Sequence, residues 1–520
     1  MLSAAAFGLY ARCTQPWTAL GWVMLVPWLA ALDRARSLRA TLAVALLMTV
    51  AFEVAGFGWF AEAVERYTAT PAPVALVLLA LFAPLLQPQL ITCALARWAT
   101  LRRGSGALRV ALAGACAWVG TEWAVPKLFG DTIGYGLWPS AWMRQGADVA
   151  GLPGLTLVLL LGNDCALVTA RALAGGVHRR AATAAAMLAA LAAALMGYGV
   201  VRERALAPLA DRVAPVEVGI VQADIGRYDR LAAARGTFGA VEAILGVHVL
   251  LSQKLLRHET LDLLVWPETV YPTTFGTPKS PEGAAFDGAI ASFVSRTGIP
   301  LVFGAYDSED GHEFNAAVLL EPARTGPLAF ETYRKATLFP LTERVPALLD
   351  GTRVRRWLPW LGSWTPGAGG DVLTVTLRGG RRLRVAPLIC YDALAPALAR
   401  NAVRSGAELI VTLSNDGWFG SGPAPWLHLV GAAFRSVETR RPQVRATNTG
   451  ISAVIDAQGG ILTRTDTDER AVLAATVMPV AYRSTLVLRW GDWLGPLALG
   501  ALIALLVAPA WRPDAPVRRR

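Results

Sequence analysis

Charge, cysteine and histidine are all scarce in this 520-residue chain. Charged residues make up 17% of it, against about 25% in an average soluble domain. The five cysteines, at positions 13, 93, 116, 165 and 390, are an odd set, and the first four sit in or beside apolar runs, which excludes a disulfide framework. The five histidines, at 178, 248, 258, 312 and 428, show no metal-ligand spacing, and none is near in sequence to the three motifs below that carry Glu268, Lys335 and Cys390, which disfavours a Cys–His pair. Internal repeats and low-complexity tracts are lacking, apart from an alanine-rich stretch at 181–195. Acidic residues are outnumbered, 38 against 49 Lys and Arg, for a net charge of +11. That excess would suit nucleic acid, but its distribution along the chain argues for membrane topology instead.

What is present is apolar sequence. Hydrophobic residues reach 54% and the mean hydropathy is +0.42, the composition of a membrane protein. Apolar segments fall at 2–11, 17–32, 40–64, 73–96, 107–125, 149–170, 181–201 and 491–511. A spanning helix needs about 20 residues. The first segment is too short to span comfortably and the second is marginal; the others qualify or come close. A signal peptide is not expected at the start, because there is no positive n-region and no clear cleavage site. Connectors after the second, fourth, sixth and eighth segments carry Arg34, Arg36, Arg39, Arg97, Arg102, Arg103, Arg109, Arg171, Arg179, Arg180, Arg512 and Arg518 to Arg520. The opposite connectors hold only Arg12, Arg66, Lys127 and Arg144. Positive charge marks the cytoplasmic side, so the long polar stretch lies on the outer face, the periplasm of a Gram-negative cell. The expected domains are membrane helices over 1–201, about seven segments, a catalytic domain over 202–490, and a last membrane helix with a basic cytoplasmic tail over 491–520.

Within the polar domain, β-branched apolar runs recur at 216–225, 261–269, 300–308, 315–322, 407–416, 451–461 and 471–479, and 373–390 reads as a hairpin around Gly379-Gly380. Helical patterns at 236–258, 283–297, 393–405 and 426–440 lie between them. Such alternation implies an α/β sheet covered by helices. Three short motifs end or follow strands, where active-site residues of α/β folds gather. "VWPET" carries Glu268, "YRKATLFPLTERVP" carries Lys335 and Glu343, and "ICYD" carries Cys390 and Asp392. A cysteine closing an apolar strand is most often a small core residue. In combination these types do more: a thiolate is the nucleophile, a carboxylate moves its proton, and a lysine holds the charge of a tetrahedral intermediate.

These motifs resemble the nitrilase, or carbon–nitrogen hydrolase, superfamily, and most closely its membrane-embedded branch, the apolipoprotein N-acyltransferases. "WPET" at 266–269, "YRK…LFPLTERVP" at 333–346, "PLICYD" at 387–392, "LSNDGWFG" at 413–420, "HLVGAAFRSVETRRP" at 428–442 and "RATNTGISAVID" at 445–456 carry the resemblance, with weaker support from "WTALGWVMLVPWLAAL" at 17–32 and "WVGTEW" at 118–123. The resemblance implies a membrane α-helical bundle plus an α/β nitrilase-like α-β-β-α sandwich domain. By the same resemblance Cys390 is the nucleophile, Glu268 the general base and acid, and Lys335 the oxyanion partner. Glu343 and Asp392 shape the site, and the backbone N–H of Tyr391 completes the oxyanion hole. The implied partners are a phospholipid acyl donor such as phosphatidylethanolamine, a diacylglyceryl apolipoprotein acceptor and the membrane, with no nucleic acid, no metal and no organic cofactor. Three positions depart from the family pattern: Asp392 replaces a glutamate, Asp224 with Tyr228 replaces an Asn and a Trp, and Leu427 replaces a Gln. They touch substrate fit and leave room for a paralogue with another acceptor.

Two other classes stay open: a membrane-tethered amidase that uses water or a soluble amine, and an inactive lipoprotein-binding scaffold, against which the intact Glu268, Lys335 and Cys390 argue. Glu53, Glu122 and Asp164 fall in or near apolar segments, where ionisable groups are functional candidates unless they face the wet headgroup zone. The arginine pattern gives a first prediction. In intact cells a membrane-impermeant thiol reagent should label a cysteine placed at Ser280 and leave one at Ala515 unlabelled; the reverse pattern overturns the topology.

Overall fold

A computed structural model describes all residues except 211–212, 227, 323–328, 346–349, 359, 421, 480–483 and 510–520. The basic tail with Arg512 and Arg518 to Arg520 lies outside the described residues. The chain divides into two compact units, one holding Met1–Glu65, Ala69–Arg202 and the segment from Trp490, the other holding Glu203–Arg489 with Arg66–Thr68.

The first unit is helical. By length and composition Leu38–Phe57, Met143–Ala174 and His178–Leu206 are apolar enough to cross a membrane, and Ala72–Leu86 with Pro88–Arg102 form a bent pair. A membrane protein follows from these helices and from the family reported below. The expected segment 73–96 is therefore broken, by 47°. Its cause is Pro88, which pushes the preceding Gln87 out of the helical region to φ −127° and ψ 53°. Segment 17–32 also breaks, into a 3₁₀ turn Trp17–Trp22 and a helix Val26–Arg34. The helix Ala107–Ala124 presents small residues, so that Leu499 closes on Gly120, and Ala113 and Ala117 pack with Ala96, Leu502 and Leu505. The three acidic candidates are all paired here. Glu53 accepts from Gln87 at 2.8 Å, Glu122 faces Lys127 at 3.4 Å and Thr132 at 3.0 Å, and Asp164 pairs with the buried Arg97 at 2.7 Å. Arg97 also binds Asp33 at 3.0 Å. A further apolar helix, Leu231–Leu256, meets the same length criterion but belongs to the second unit.

The second unit is built on two sheets. The strands are β1 (Val216–Gln222), β2 (Leu263–Val265), β3 (Tyr271–Thr274), β4 (Leu301–Glu309), β5 (His312–Leu320), β6 (Phe330–Arg334), β7 (Leu373–Thr376), β8 (Arg382–Ile389), β9 (Leu409–Ser414), β10 (Gln443–Thr447), β11 (Ala453–Ile455), β12 (Ile461–Arg464) and β13 (Ala471–Val477). One sheet runs β13-β1-β2-β4-β5-β6 with β3 beside β4; the other runs β12-β11-β10-β9-β8-β7. Each has a parallel centre, β1, β2 and β4 in the first and β8, β9 and β10 in the second. Alternation along the strands sorts the layers. Val216, Val218 and Ile220 of β1, Leu263 and Val265 of β2, Val385 and Ile389 of β8, and Val411 and Leu413 of β9 meet in one core between the sheets. Their neighbours point outward. Leu264, Leu301 and Phe303 pack on Ile244, Phe293 and Val294 of the helices beyond, while Ala386, Leu388 and Ile410 pack on Ala399, Ala402 and Val403. The result is the four-layer α-β-β-α sandwich.

Each expected apolar run contains a strand, and the hairpin forms as read, with Thr376 opposite Arg382 and Gly379 and Gly380 at positive φ. The run 451–461 holds two strand ends, because Asp456 caps a turn through Gln458 N–H at 2.8 Å and Gly460 N–H at 2.7 Å. Three strands outside the expected runs have polar sequences: β3 YPTT, β6 FETYR and β10 QVRAT. In β10 only Val444 and Ala446 are apolar and the polar residues between them are buried as well, so the strand does not stand out as an apolar run.

Gly304 on β4 touches the chain that leaves β2. Its N–H donates to Pro267 O at 3.0 Å, and a Cβ at this position would lie 2.6 Å from Glu268 Cα and 2.5 Å from Thr269 N. Both are backbone atoms, so the loop itself must move. Gly304→Ala should destabilise the second unit by about 1–3 kcal/mol, as overpacking does, and displace Glu268. Thermal unfolding together with acyl-transfer rate checks this; a variant with wild-type values for both removes the argument.

Candidate active site

Lys335 follows β6 and is buried, with 2% of its side chain exposed. Its Nζ lies 3.2 Å from Glu268 Oε1 and 2.7 Å from Glu343 Oε1. Burial opposes its charge, but Glu268, Glu343 and Cys390 together raise its pKa well above the ordinary lysine value. Glu268 is held on both oxygens: Asn315 Nδ2 donates to Oε1 at 2.8 Å and Asn415 N–H to Oε2 at 2.8 Å. Glu343 Oε2 accepts the Phe339 N–H at 2.7 Å, which closes the loop after Lys335 over the pair. Sequence alone made Lys335 and Glu343 neighbours eight residues apart; folding turns them into a direct ion pair and adds Glu268.

Cys390 begins a 3₁₀ turn after β8 and has φ +48°, a left-handed value costly for a residue with a Cβ. Thr269, just after Glu268, and Leu341, between Lys335 and Glu343, share the anomaly at +58° and +66°. Burial first, then the charge of Glu268, pushes the Cys390 thiol up, and Lys335 only partly offsets them. The resting sulfur therefore keeps its proton. Asp392 is wholly buried and accepts three hydrogen bonds, from Thr337 N–H at 2.7 Å, Tyr333 OH at 2.8 Å and Ile389 N–H at 3.1 Å. One carboxylate thus ties the turn at Cys390 to β6 and to the loop that follows Lys335. The Tyr391 ring packs edge-on against Phe339 at 5.1 Å, and Phe339 meets Trp418 at 5.3 Å.

The structure corrects the expectation that no histidine approaches these motifs. His428 lies 38 residues beyond Cys390, yet its Nε2 sits 3.1 Å from the Cys390 carbonyl oxygen. The contact is to the backbone and not a Cys–His catalytic pair. His428 Nδ1 lies 3.1 Å from Asp416 Oδ1 and 3.0 Å from Arg445, and Arg445 also binds Asp416 Oδ2 at 3.0 Å. Burial alone would raise the Asp416 carboxyl, but Arg445 and His428 hold it well below the usual carboxylate range. Among the described residues, Cys390, Asp416 and His428 also bring metal-ligand types within 4.8 Å of one another, although the imidazole and the carboxylate are already engaged as stated. Sequence reasoning did not single out Asn315, Asn415, Asp416, His428 or Arg445. All but Asn315 stand inside the quoted motifs, and what hid them was that none lies next in sequence to a catalytic candidate. Of the departures, Asp224 has φ +46° after β1 and its N–H binds Asn448 O at 3.0 Å.

Two helix-covered sheets with a glutamate, a lysine and a cysteine at their strand ends define a carbon–nitrogen hydrolase. The comparisons agree. The carbon–nitrogen hydrolase family matches residues 217–485, and the apolipoprotein N-acyltransferase N-terminal domain matches 4–165. Apolipoprotein N-acyltransferases of Bdellovibrio bacteriovorus and Rhizobium etli are 28% and 30% identical; the first alignment covers 94% of this chain and 90% of the relative, the second 72% and 68%. A crystal structure of a carbon–nitrogen hydrolase from Helicobacter pylori G27 is 18% identical, with 51% of this chain and 89% of that one aligned at a TM-score of 0.37. The chain belongs to the apolipoprotein N-acyltransferase family.

Asp392 yields a prediction of stability and rate. Asp392→Ala strands three buried donors, each worth about 1–3 kcal/mol when left unmade, and should lower acylation strongly, whereas Asp392→Glu should retain activity. Burial pushes Asp392 up to about 6, against about 3.9 in the unfolded chain. The folded state therefore binds more protons between these values, and this group's contribution to stability falls as pH rises from about 4 to about 6. Asp392→Asn should remove that slope from thermal unfolding curves. An alanine variant acylated at the wild-type rate would make the residue a bystander.

Proposed function

We propose that the enzyme moves an acyl chain from a phospholipid, phosphatidylethanolamine for preference, through a thioester on Cys390, to the α-amino group of the diacylglyceryl-cysteine that begins an apolipoprotein. The observation that carries this reading is the buried Lys335 bridging Glu268 and Glu343 beside a strained, proton-bearing Cys390. The thiol gives its proton to Glu268 as sulfur attacks the sn-1 carbonyl carbon. The oxyanion is held by Lys335 and the Tyr391 N–H. The carbonyl re-forms, the C–O bond breaks, and Glu268 protonates the departing lysophospholipid. The amine then attacks the thioester, Glu268 takes its proton, and the C–S bond breaks with the thiol restored. Dividing the transfer in this way replaces one difficult step by two easier ones. Glu268 suits both halves, since Asn315 and Asn415 keep its carboxylate in one orientation. The arginine pattern supports a bacterial inner-membrane location with the catalytic domain in the periplasm, comprising 202–490 between the membrane segments 1–201 and 491–520.

Enzyme incubated with phospholipid and no acceptor should gain one acyl chain on Cys390, lost on treatment with hydroxylamine. A diacylglyceryl peptide with a free amino terminus should take the chain; Cys390→Ser and Glu268→Gln should lose turnover by about 10²-fold or more, as removal of a nucleophile or its base does. Intact-protein mass spectrometry decides it. Turnover without an adduct, or an adduct on another residue, overturns the mechanism; release of free fatty acid in preference to transfer would favour the amidase class.

A further inference from the structure

His428 is the buried group that the mechanism above leaves unused. It faces the Cys390 carbonyl, which is only an acceptor, so Nε2 must carry a hydrogen whatever the state of the other nitrogen. If Nδ1 also carries one, it donates to Asp416; if not, it accepts from Arg445. Both arrangements leave Nε2 as a donor. The ring cannot turn away cheaply: Asp416 is fixed by Ser414 Oγ at 2.7 Å as well as by Arg445, and Phe419 lies edge-on to the imidazole at 5.8 Å. His428, Asp416 and Arg445 are each 5% exposed or less.

The Cys390 carbonyl and the Tyr391 N–H are two ends of one peptide unit. Because that unit is planar and trans, they point in opposite directions. Holding the carbonyl on one side therefore aims the N–H at the other. Cys390 holds a strained left-handed φ that persists only while its surroundings over-determine it, and rotation of the 390–391 peptide would take the N–H out of the site.

We infer that His428 is a positioning residue for the oxyanion hole: by gripping the Cys390 carbonyl, with Asp416 and Arg445 behind it, it points the Tyr391 N–H at the developing oxyanion. The inference rests on the thioester reading above, in which that N–H is the second oxyanion donor beside Lys335. It separates two reactions of one sulfur. Acylation passes through an oxyanion; alkylation by iodoacetamide does not, and depends on the thiol and Glu268 alone.

The experiment measures both rates on the full-length enzyme in detergent micelles, with phospholipid as acyl donor. His428→Leu, which fills the space without a donor, should lower the rate of Cys390 acylation about 10²- to 10³-fold, the loss expected for one oxyanion-hole donor, and change iodoacetamide alkylation less than threefold. His428→Gln, whose amide nitrogen reaches as far as Nε2, should recover most of the acylation. His428→Asn, polar but one methylene shorter, should not, and it decides the question should the leucine variant fail to fold. Acylation within threefold of wild type in the Leu and Asn variants overturns the inference. Equal losses of acylation and alkylation overturn it too, since they would mean that the histidine merely supports the nucleophile. Should wild-type Cys390 gain no acyl group at all, the thioester reading fails and takes this inference with it, whereas a wild-type adduct with indifferent variants removes the inference alone.

Discussion

A single buried cation organises the catalytic unit. Lys335 has left water, and an unpaired ammonium in such a place would be prohibitive. It is tolerable because Glu268 and Glu343 lie at 3.2 and 2.7 Å. Those carboxylates in turn need donors, and obtain them from Asn315, Asn415 N–H and Phe339 N–H. Burial first, and then the charge of Glu268, keeps the thiol of Cys390 protonated at rest, with Lys335 opposing them. In the proposed mechanism, passing that proton to Glu268 moves the negative charge onto sulfur without changing the total. Each later step repeats the exchange with another partner, so the low-dielectric site never holds more charge than it was built to hold. A base with this much fixed solvation reorganises little as it cycles, which is the condition under which electrostatic catalysis is effective.

The sandwich supplies the geometry. Glu268 follows β2, in the middle of its sheet, Cys390 follows β8, beside the edge strand β7, and Asn415 and Asp416 follow β9. Packing the inner faces of Val218, Ile220 and Val265 on Val385, Ile389 and Val411 brings these strand ends together. A register slip of one residue in β8 would turn Ile389 outward and carry Cys390 with it. The core between the sheets thus sets the separation of Cys390 and Glu268, which explains why fully buried aliphatic residues lead directly into these two side chains.

Much of this was legible in the chain. Apolar, β-branched runs announced most of the strands, and Glu268, Cys390 and Asp392 could be chosen because they end or follow such runs, while Lys335 and Glu343 stood out by their motif. What escaped was of two kinds. Strand β10 alternates Val444 and Ala446, which face the core between the sheets, with the buried polar residues Gln443 and Arg445, so it contains no apolar run to announce it. His428 looked remote because contact across 38 residues depends on how the following helix, Ala424–Thr439, is laid beside the turn at Cys390, and no local pattern encodes that. In the helical unit hydropathy set the lengths of the segments but not their breaks, although the bend at Gln87 has a local cause in Pro88.

The left-handed backbone at Cys390 makes sense only with both of its anchors. Upstream, Asp392 reaches back to the Ile389 N–H; downstream, His428 holds the Cys390 carbonyl. A residue with a Cβ at φ +48° relaxes unless its neighbours over-determine it, and here the 390–391 peptide and, one unit further upstream, the 388–389 peptide are tied by buried polar groups. The two anchors lead in different directions. Asp392 connects the turn to Tyr333 and Thr337, hence to the strand and loop that carry Lys335, whereas His428 connects it to Asp416 and Arg445 at the ends of β9 and in β10. Cys390, the 390–391 peptide and Lys335 are therefore positioned by polar contacts that meet at this turn, and displacement of any one of them must be shared by the others.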